Sequence, residues 1–188
     1  MKKSLNQKLI NLVNYYHQLN TDILFSNSPI NRNNNNLMAT SNGDKLHQLE
    51  KLKQNIKSIK NCNLKKSARN LVFSDGNMDT KIMIIGEGPG AQEDLEGLPF
   101  VGRAGKLLDK MLAAIKLDRD KVYISNVVNY RPPENRKPTD EEILRYLPYL
   151  KKHIEIINPK ILILLGSSAL NAVIGDEQKI SEIRGKWV

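Results

Sequence analysis

Cysteine is almost absent from this chain. Cys62 is the single one in 188 residues, which excludes an intramolecular disulfide and suits a reducing cytoplasm. Long apolar runs are missing as well. Ile161 to Leu165 is far too short to span a bilayer, and MKKSLNQKLINLVNYYHQLN has a positive start but neither a continuous apolar stretch nor a small-residue cleavage site. A soluble, cytoplasmic protein is therefore expected, without membrane association. Histidine is scarce too. His17 and His47 precede the expected domain, and His153 sits mid-helix between Lys152 and Ile154, so all three are expected at the surface and outside any catalytic role. No GxGxxG appears, and no glycine-rich loop is followed by Lys-Ser/Thr, so neither a dinucleotide fingerprint nor a phosphate loop is present.

What is plentiful is positive charge, and it is unevenly placed. The formal net charge is +9. Residues 1–80 carry twelve Lys/Arg against five Asp/Glu, and the remainder carries seventeen against fifteen. Lys45, Lys51, Lys53, Lys57, Lys60, Lys65, Lys66 and Arg69 form the densest run. Such a run suits a polyanion such as DNA, because each neutralised phosphate releases counterions. It equally suits a solvated helix face.

The most informative segment is Lys81 to Gly105, KIMIIGEGPGAQEDLEGLPFVGRAG. The apolar residues Ile82 to Ile85 run into Gly86-Glu87-Gly88-Pro89-Gly90, the pattern of a buried strand delivering its C-terminal end to a tight turn. The glycines allow backbone to approach a ligand closely, and Pro89 stiffens the loop. Glu87, Glu93 and Asp94 bring carboxylates there, and Phe100 adds an aromatic face. Together they suit a small, planar, polar group.

Around this segment, Leu5, Ile10, Leu12, Val13 and Tyr16 predict an N-terminal helix, and the asparagine-rich stretch 27–43 a mobile linker. Leu46, Leu49, Leu52 and Ile56 predict a second helix in the N-terminal region 1–61, with the domain proper over 62–188. Gly105 to Ile115 reads as a helix and Lys121 to Val128 as a second strand. Thr139 and Glu142 form a capping box opening a helix with Ile143, Leu147, Leu150, Ile154 and Ile157 on one face. Lys160 to Leu165 reads as a third buried strand. Strands alternating with helices predict an α/β fold, three layers α/β/α around a central parallel sheet. Ligands in such sheets bind beyond the strands' carboxyl ends, where Glu87 and Asn126 both fall.

The segment from Lys81 resembles motif 1 of the family 4 uracil-DNA glycosylases, enzymes of base-excision repair. The likeness continues through Asn126-Val127-Val128-Asn129-Tyr130-Arg131-Pro132-Pro133, Asn135-Arg136, Pro148-Tyr149-Leu150, Pro159-Lys160-Ile161, Leu165-Gly166 and Ile183-Arg184-Gly185. It implies hydrolysis of the uracil–deoxyribose bond in DNA, with the base taken out of the stack and read in a pocket. An amide pairs with both uracil O4 and N3, which cytosine presents with reversed polarity. An isolated strand-end Asn more often caps its own turn, but the resemblance makes Asn126 the uracil reader. It implies that Phe100 stacks on the base rather than merely filling core, and that Gly86 and Gly88 offer backbone to it. Glu87 and Asp94 become the candidate catalytic carboxylates, placing water or stabilising positive charge on the sugar. Without the resemblance they would read as loop-stitching groups.

Two departures from the family carry expectations of their own. The family's four cysteines hold a four-iron cluster through thiolates. Here only Cys62 matches, with Ile59, Tyr130 and Tyr146 at the other positions, so no cluster, metal or other cofactor is expected. The family's His-Pro segment, which brings a histidine to uracil O2, would lie on a fourth strand beyond Trp187-Val188. A C-terminally truncated glycosylase, weak or inactive alone, is the expectation. A non-catalytic DNA- or uracil-binding module, or one fragment of a split glycosylase, is the alternative. A monomer is expected, with the uncovered KILILL edge as the place where association would occur.

Overall fold

Period-two alternation divides the apolar run after Lys81 between the two faces of a sheet. The computed structural model describes residues 42–175 and 179–187. Its sheet has four strands, β1 (Asp75–Gly76), β2 (Ile82–Gly86), β3 (Tyr123–Asn126) and β4 (Ile161–Leu164), in the order β1-β3-β2-β4. Strands β3, β2 and β4 are parallel, whereas the two-residue β1 pairs antiparallel with β3. The expected parallel sheet is thus a mixed one. The two residues of β1, Asp75 and Gly76, are too few to show periodicity in the sequence.

Met83 and Ile85 of β2 join a cluster with residues of helices α1 (Asn42–Lys57), α2 (Asn63–Ser67) and α5 (Asp140–Ile157). Ile84 faces the other way, packing with Ile124 and with Leu108 and Leu112. The last two belong to α4 (Arg103–Ala114), which follows the short α3 (Ala91–Glu96). Helices on both faces make the three-layer α/β/α arrangement. Chain order ends with α6 (Ser167–Val173) and α7 (Ile180–Ile183).

Helix α1 differs from its expected place outside the domain. Leu49, Leu52 and Ile56 are buried in the same core as Cys62, Leu64 and Met83, while Leu46 is exposed. α1 therefore belongs to the same compact unit as the sheet. Asn42 already opens α1, so the expected linker stops short of residue 43. The rest of that linker and the expected helix over Leu5 to Tyr16 lie outside the described residues.

The capping box forms as expected: Glu142 N donates to Thr139 Oγ1 at 3.3 Å, and Thr139 N to Glu142 Oε2 at 2.8 Å. β4, expected as a buried strand, is an edge strand of the described sheet, and each of its residues is only half-buried. Leu162, Ile163, Leu164, Ile174, Ile183 and Trp187 line a groove of about 390 Å³ beside it. No helix among the described residues is long and apolar enough to cross a membrane.

Candidate active site

The carboxyl ends of β2 and β3 bring the first two site residues side by side, since Gly86 and Asn126 are register partners. Asn126 is buried, and its Oδ1 has no hydrogen-bond partner among the described residues. A buried acceptor left unpaired costs about 1–3 kcal/mol, so this oxygen marks a place where a ligand donor fits.

Phe100 completes the group. A Cβ built on Gly86 would lie 2.5 Å from Phe100 Cζ and 2.6 Å from Asn126 Oδ1. Ring edge and amide oxygen therefore converge over the bare α-carbon of Gly86, and no larger residue fits there. Gly88 is constrained from elsewhere, because its Cβ would stand 2.7 Å from Val128 Cγ2. The turn it shapes is held by Val127 N donating to Gly86 O (2.9 Å) and Val128 N to Glu87 O (3.2 Å).

Phe100 has a left-handed backbone, φ 55°, which costs a side-chain-bearing residue about 1–2 kcal/mol. Two features oblige it. A Cβ on Gly105 would fall 1.6 Å from Phe100 O, so the Phe100 backbone lies directly on the first turn of α4. Arg119, in the short 3-10 turn before β3, donates through Nη2 to Phe100 O and through Nη1 to Pro99 O at 3.1 Å. Its guanidinium is itself held by Asp75 Oδ2 (2.6 Å) and Asp109 Oδ1 (2.9 Å). Burial opposes its charge, but hydrogen bonds and charge from Asp75 and Asp109 prevail and raise its pKa.

The carboxylates separate. Glu87, half-buried, accepts from Ser168 Oγ at 2.5 Å, which ties motif 1 to the first turn of α6. Glu93 accepts from Gly90 N (3.1 Å) and Gly102 N (2.7 Å), stitching both ends of the loop. Asp94, buried, accepts from Arg69 N (2.9 Å) and Asn70 N (3.1 Å). It thus does the loop-stitching that its residue type alone suggests, and it is not brought into the Gly86–Phe100–Asn126 group.

The basic run divides as well. Lys45 is drawn inward, donating to Met78 O (3.0 Å) and Ile157 O (3.3 Å) beside Asp79. Lys53 lies over the Phe73 ring, 5.8 Å from its centroid, and Lys65 donates to Lys57 O. Lys51, Lys57, Lys60, Lys65, Lys66 and Arg69 are exposed.

His153, expected at the surface, is buried. It stacks on Phe73 (4.6 Å between centroids), and Nε2 shares a 2.8 Å hydrogen bond with Tyr123 Oη. Burial pushes its pKa down to about 3, so the ring stays neutral. The sequence reading failed here because it put the apolar face of α5 on Ile143, Leu147, Leu150, Ile154 and Ile157, whereas the buried stripe runs through Tyr146, Leu150, His153 and Ile157.

Cys62 lies in one core cluster with Tyr130 and Tyr146, against which Ile59 also packs. Its Sγ hydrogen-bonds Tyr146 Oη at 3.3 Å. Burial, and then the bond to Cys62, drive the Tyr146 pKa far up, so the phenol stays protonated. One thiol, two phenols and an alkyl side chain do not fit a four-thiolate cluster.

Two residues escaped the sequence reading. Ser168 had a signal, since it follows the third parallel strand at the same sheet edge as Glu87. Arg119 had none, lying in a charged stretch that resembles any solvated turn.

The family model for the uracil DNA glycosylase superfamily matches residues 73–188. The type-4 uracil-DNA glycosylase of Thermotoga maritima is 44% identical over 138 residues, covering 73% of this chain and 72% of that protein. That of Sulfurisphaera tokodaii is 44% identical over 146 residues, covering 75% and 66%, and that of Archaeoglobus fulgidus 41% over 145 residues, covering 75% and 73%. The chain belongs to the uracil-DNA glycosylase superfamily, and within it to the type-4 family.

Proposed function

We propose that this chain reads uracil in DNA with Asn126, Phe100 and Gly86 and acts in base-excision repair on the uracil–deoxyribose bond. The observation that carries the reading is the buried, unpartnered Asn126 Oδ1 beside the Phe100 ring. Uracil N3–H supplies the donor that oxygen lacks, while the amide nitrogen donates to O4. Cytosine N3 is an acceptor and would leave the oxygen unpaired, which is how a polar pocket discriminates. The ring of Phe100 offers the base a stacking face. Glu87, held by Ser168, is the carboxylate to which we assign orienting water or meeting positive charge on the sugar. The exposed lysines of the basic run, with Arg69, supply phosphate contacts, and a reducing cytoplasm suits the single buried thiol.

Among the described residues no histidine joins Asn126: His47 is exposed on α1 and His153 is enclosed by Phe73 and Tyr123. A missing donor to the leaving base costs about two to three orders of magnitude in rate. Without such a donor, excision from a uracil-containing single strand should run at least about a hundredfold below a type-4 relative. Asn126→Ala should remove whatever remains and also the preference for uracil-bearing over thymine-bearing strands. Vigorous excision that survives Asn126→Ala would refute the reading.

The same proposal includes the absence of an iron–sulfur cluster, because Ile59, Tyr130 and Tyr146, which stand at the positions the family resemblance gives to thiolates, pack around the single Cys62. Protein purified without oxygen should be colourless and iron-free. Stoichiometric iron with visible absorbance would contradict it.

A further inference from the structure

Phe100 owes its position to groups that lie outside the base site. Its left-handed backbone rests on Gly105, and its carbonyl, with that of Pro99, is taken up by Arg119. Arg119 is fixed in turn by Asp75 at the sheet's antiparallel edge and Asp109 on α4. One guanidinium thus joins four groups from three elements of the fold, and two of the four are the carbonyls that set where the Phe100 ring falls. A planar fork with five donors suits that task, and an ammonium does not. A peptide carbonyl released from this fork would let Phe100 leave the left-handed region, and the ring would swing off Gly86.

We propose that Arg119 is a positioning residue for base recognition, locking Phe100 over Gly86 and beside Asn126. The inference rests on the reading of Phe100 as the stacking face for uracil.

The test uses the full 188-residue chain labelled with fluorinated phenylalanine. Its three phenylalanines, Phe25, Phe73 and Phe100, give three resonances, and Phe100→Leu assigns one of them. Arg119→Met should shift or broaden the Phe100 signal and leave the Phe73 signal in place. It should also lower the preference for a uracil-bearing over a thymine-bearing single strand tenfold or more, with affinity for the thymine strand unchanged. Added guanidinium ion should restore the Phe100 signal in Arg119→Ala. Should both variants fail to fold, Asp109→Asn, which loosens the fork at an exposed carboxylate, should move the same resonance. An unmoved Phe100 signal in the folded variant overturns the inference. If Phe100→Leu keeps full uracil preference, the stacking role itself falls. If Phe100→Leu loses that preference while Arg119→Met keeps it, only the positioning role falls.

Discussion

Gly86 and Asp94 lie eight residues apart in one motif and answer to different demands. Gly86 keeps the space in which Phe100 and Asn126 meet, and its own φ is ordinary, so alanine there strains the pocket rather than the backbone. Asp94 holds two backbone N–H groups of the 69–70 segment. Gly86→Ala should abolish selective binding of a uracil-bearing strand while stability falls by about 1–3 kcal/mol from overpacking. Asp94→Ala should lower stability by about 1–3 kcal/mol, the penalty of unpaired polar groups, and leave selectivity intact. Paired denaturation and binding titrations check both. Selectivity lost in a folded Asp94→Ala protein would return Asp94 to the base site.

Helix α1 has one side in the core and another that carries exposed charge. Its buried side, through Leu49, Leu52 and Ile56, belongs to the core, and Lys51 and Lys57 remain exposed on it. Removing everything before Cys62 would therefore strip core as well as charge, so phosphate binding is better tested by substitution. Lys51→Gln, Lys57→Gln and Lys60→Gln together should reduce the slope of log affinity against log salt on single-stranded DNA by about 0.7 for each phosphate no longer neutralised. The melting temperature should stay close to that of the parent. An unchanged slope would assign the phosphates to other residues.

For the whole molecule, the buried His153 couples folding to pH. Its folded pKa of about 3 lies below the ordinary value of 6.5. Between those values the unfolded chain takes up a proton that the folded chain refuses, so stability is full above about pH 6.5 and declines toward pH 3. The limiting slope is about 1.4 kcal/mol per pH unit from this group. Urea denaturation from pH 7 to 4 should show that decline, and His153→Phe, which retains the stacking on Phe73, should flatten it. Equal slopes in the two proteins would show that other groups govern the acid limb.

Local pattern along the chain accounts for the layers and for the sheet edge at which Gly86 and Asn126 stand. The strand–turn pattern of Ile82 to Gly90, the capping box at Thr139 and Glu142, and the apolar faces of the helices follow from periodicity and local hydrogen bonding, which act over a few residues. For the same reason the positions of Gly86 and Asn126 were legible, at the ends of strands whose direction the pattern gives. Phe100 lies in the loop between α3 and α4, and its assignment, like that of Asn126 as the uracil reader, came from the resemblance to the family. Which side chains face each other across long loops was settled by tertiary packing alone. Packing brought α1 into the core, enclosed His153, set Asp94 to stitching residues 69–70 and drew Lys45 away from solvent. It also placed Arg119, nineteen residues beyond Phe100, on that residue's carbonyl. Those outcomes depend on burial and on pairings between distant segments, which no local pattern encodes.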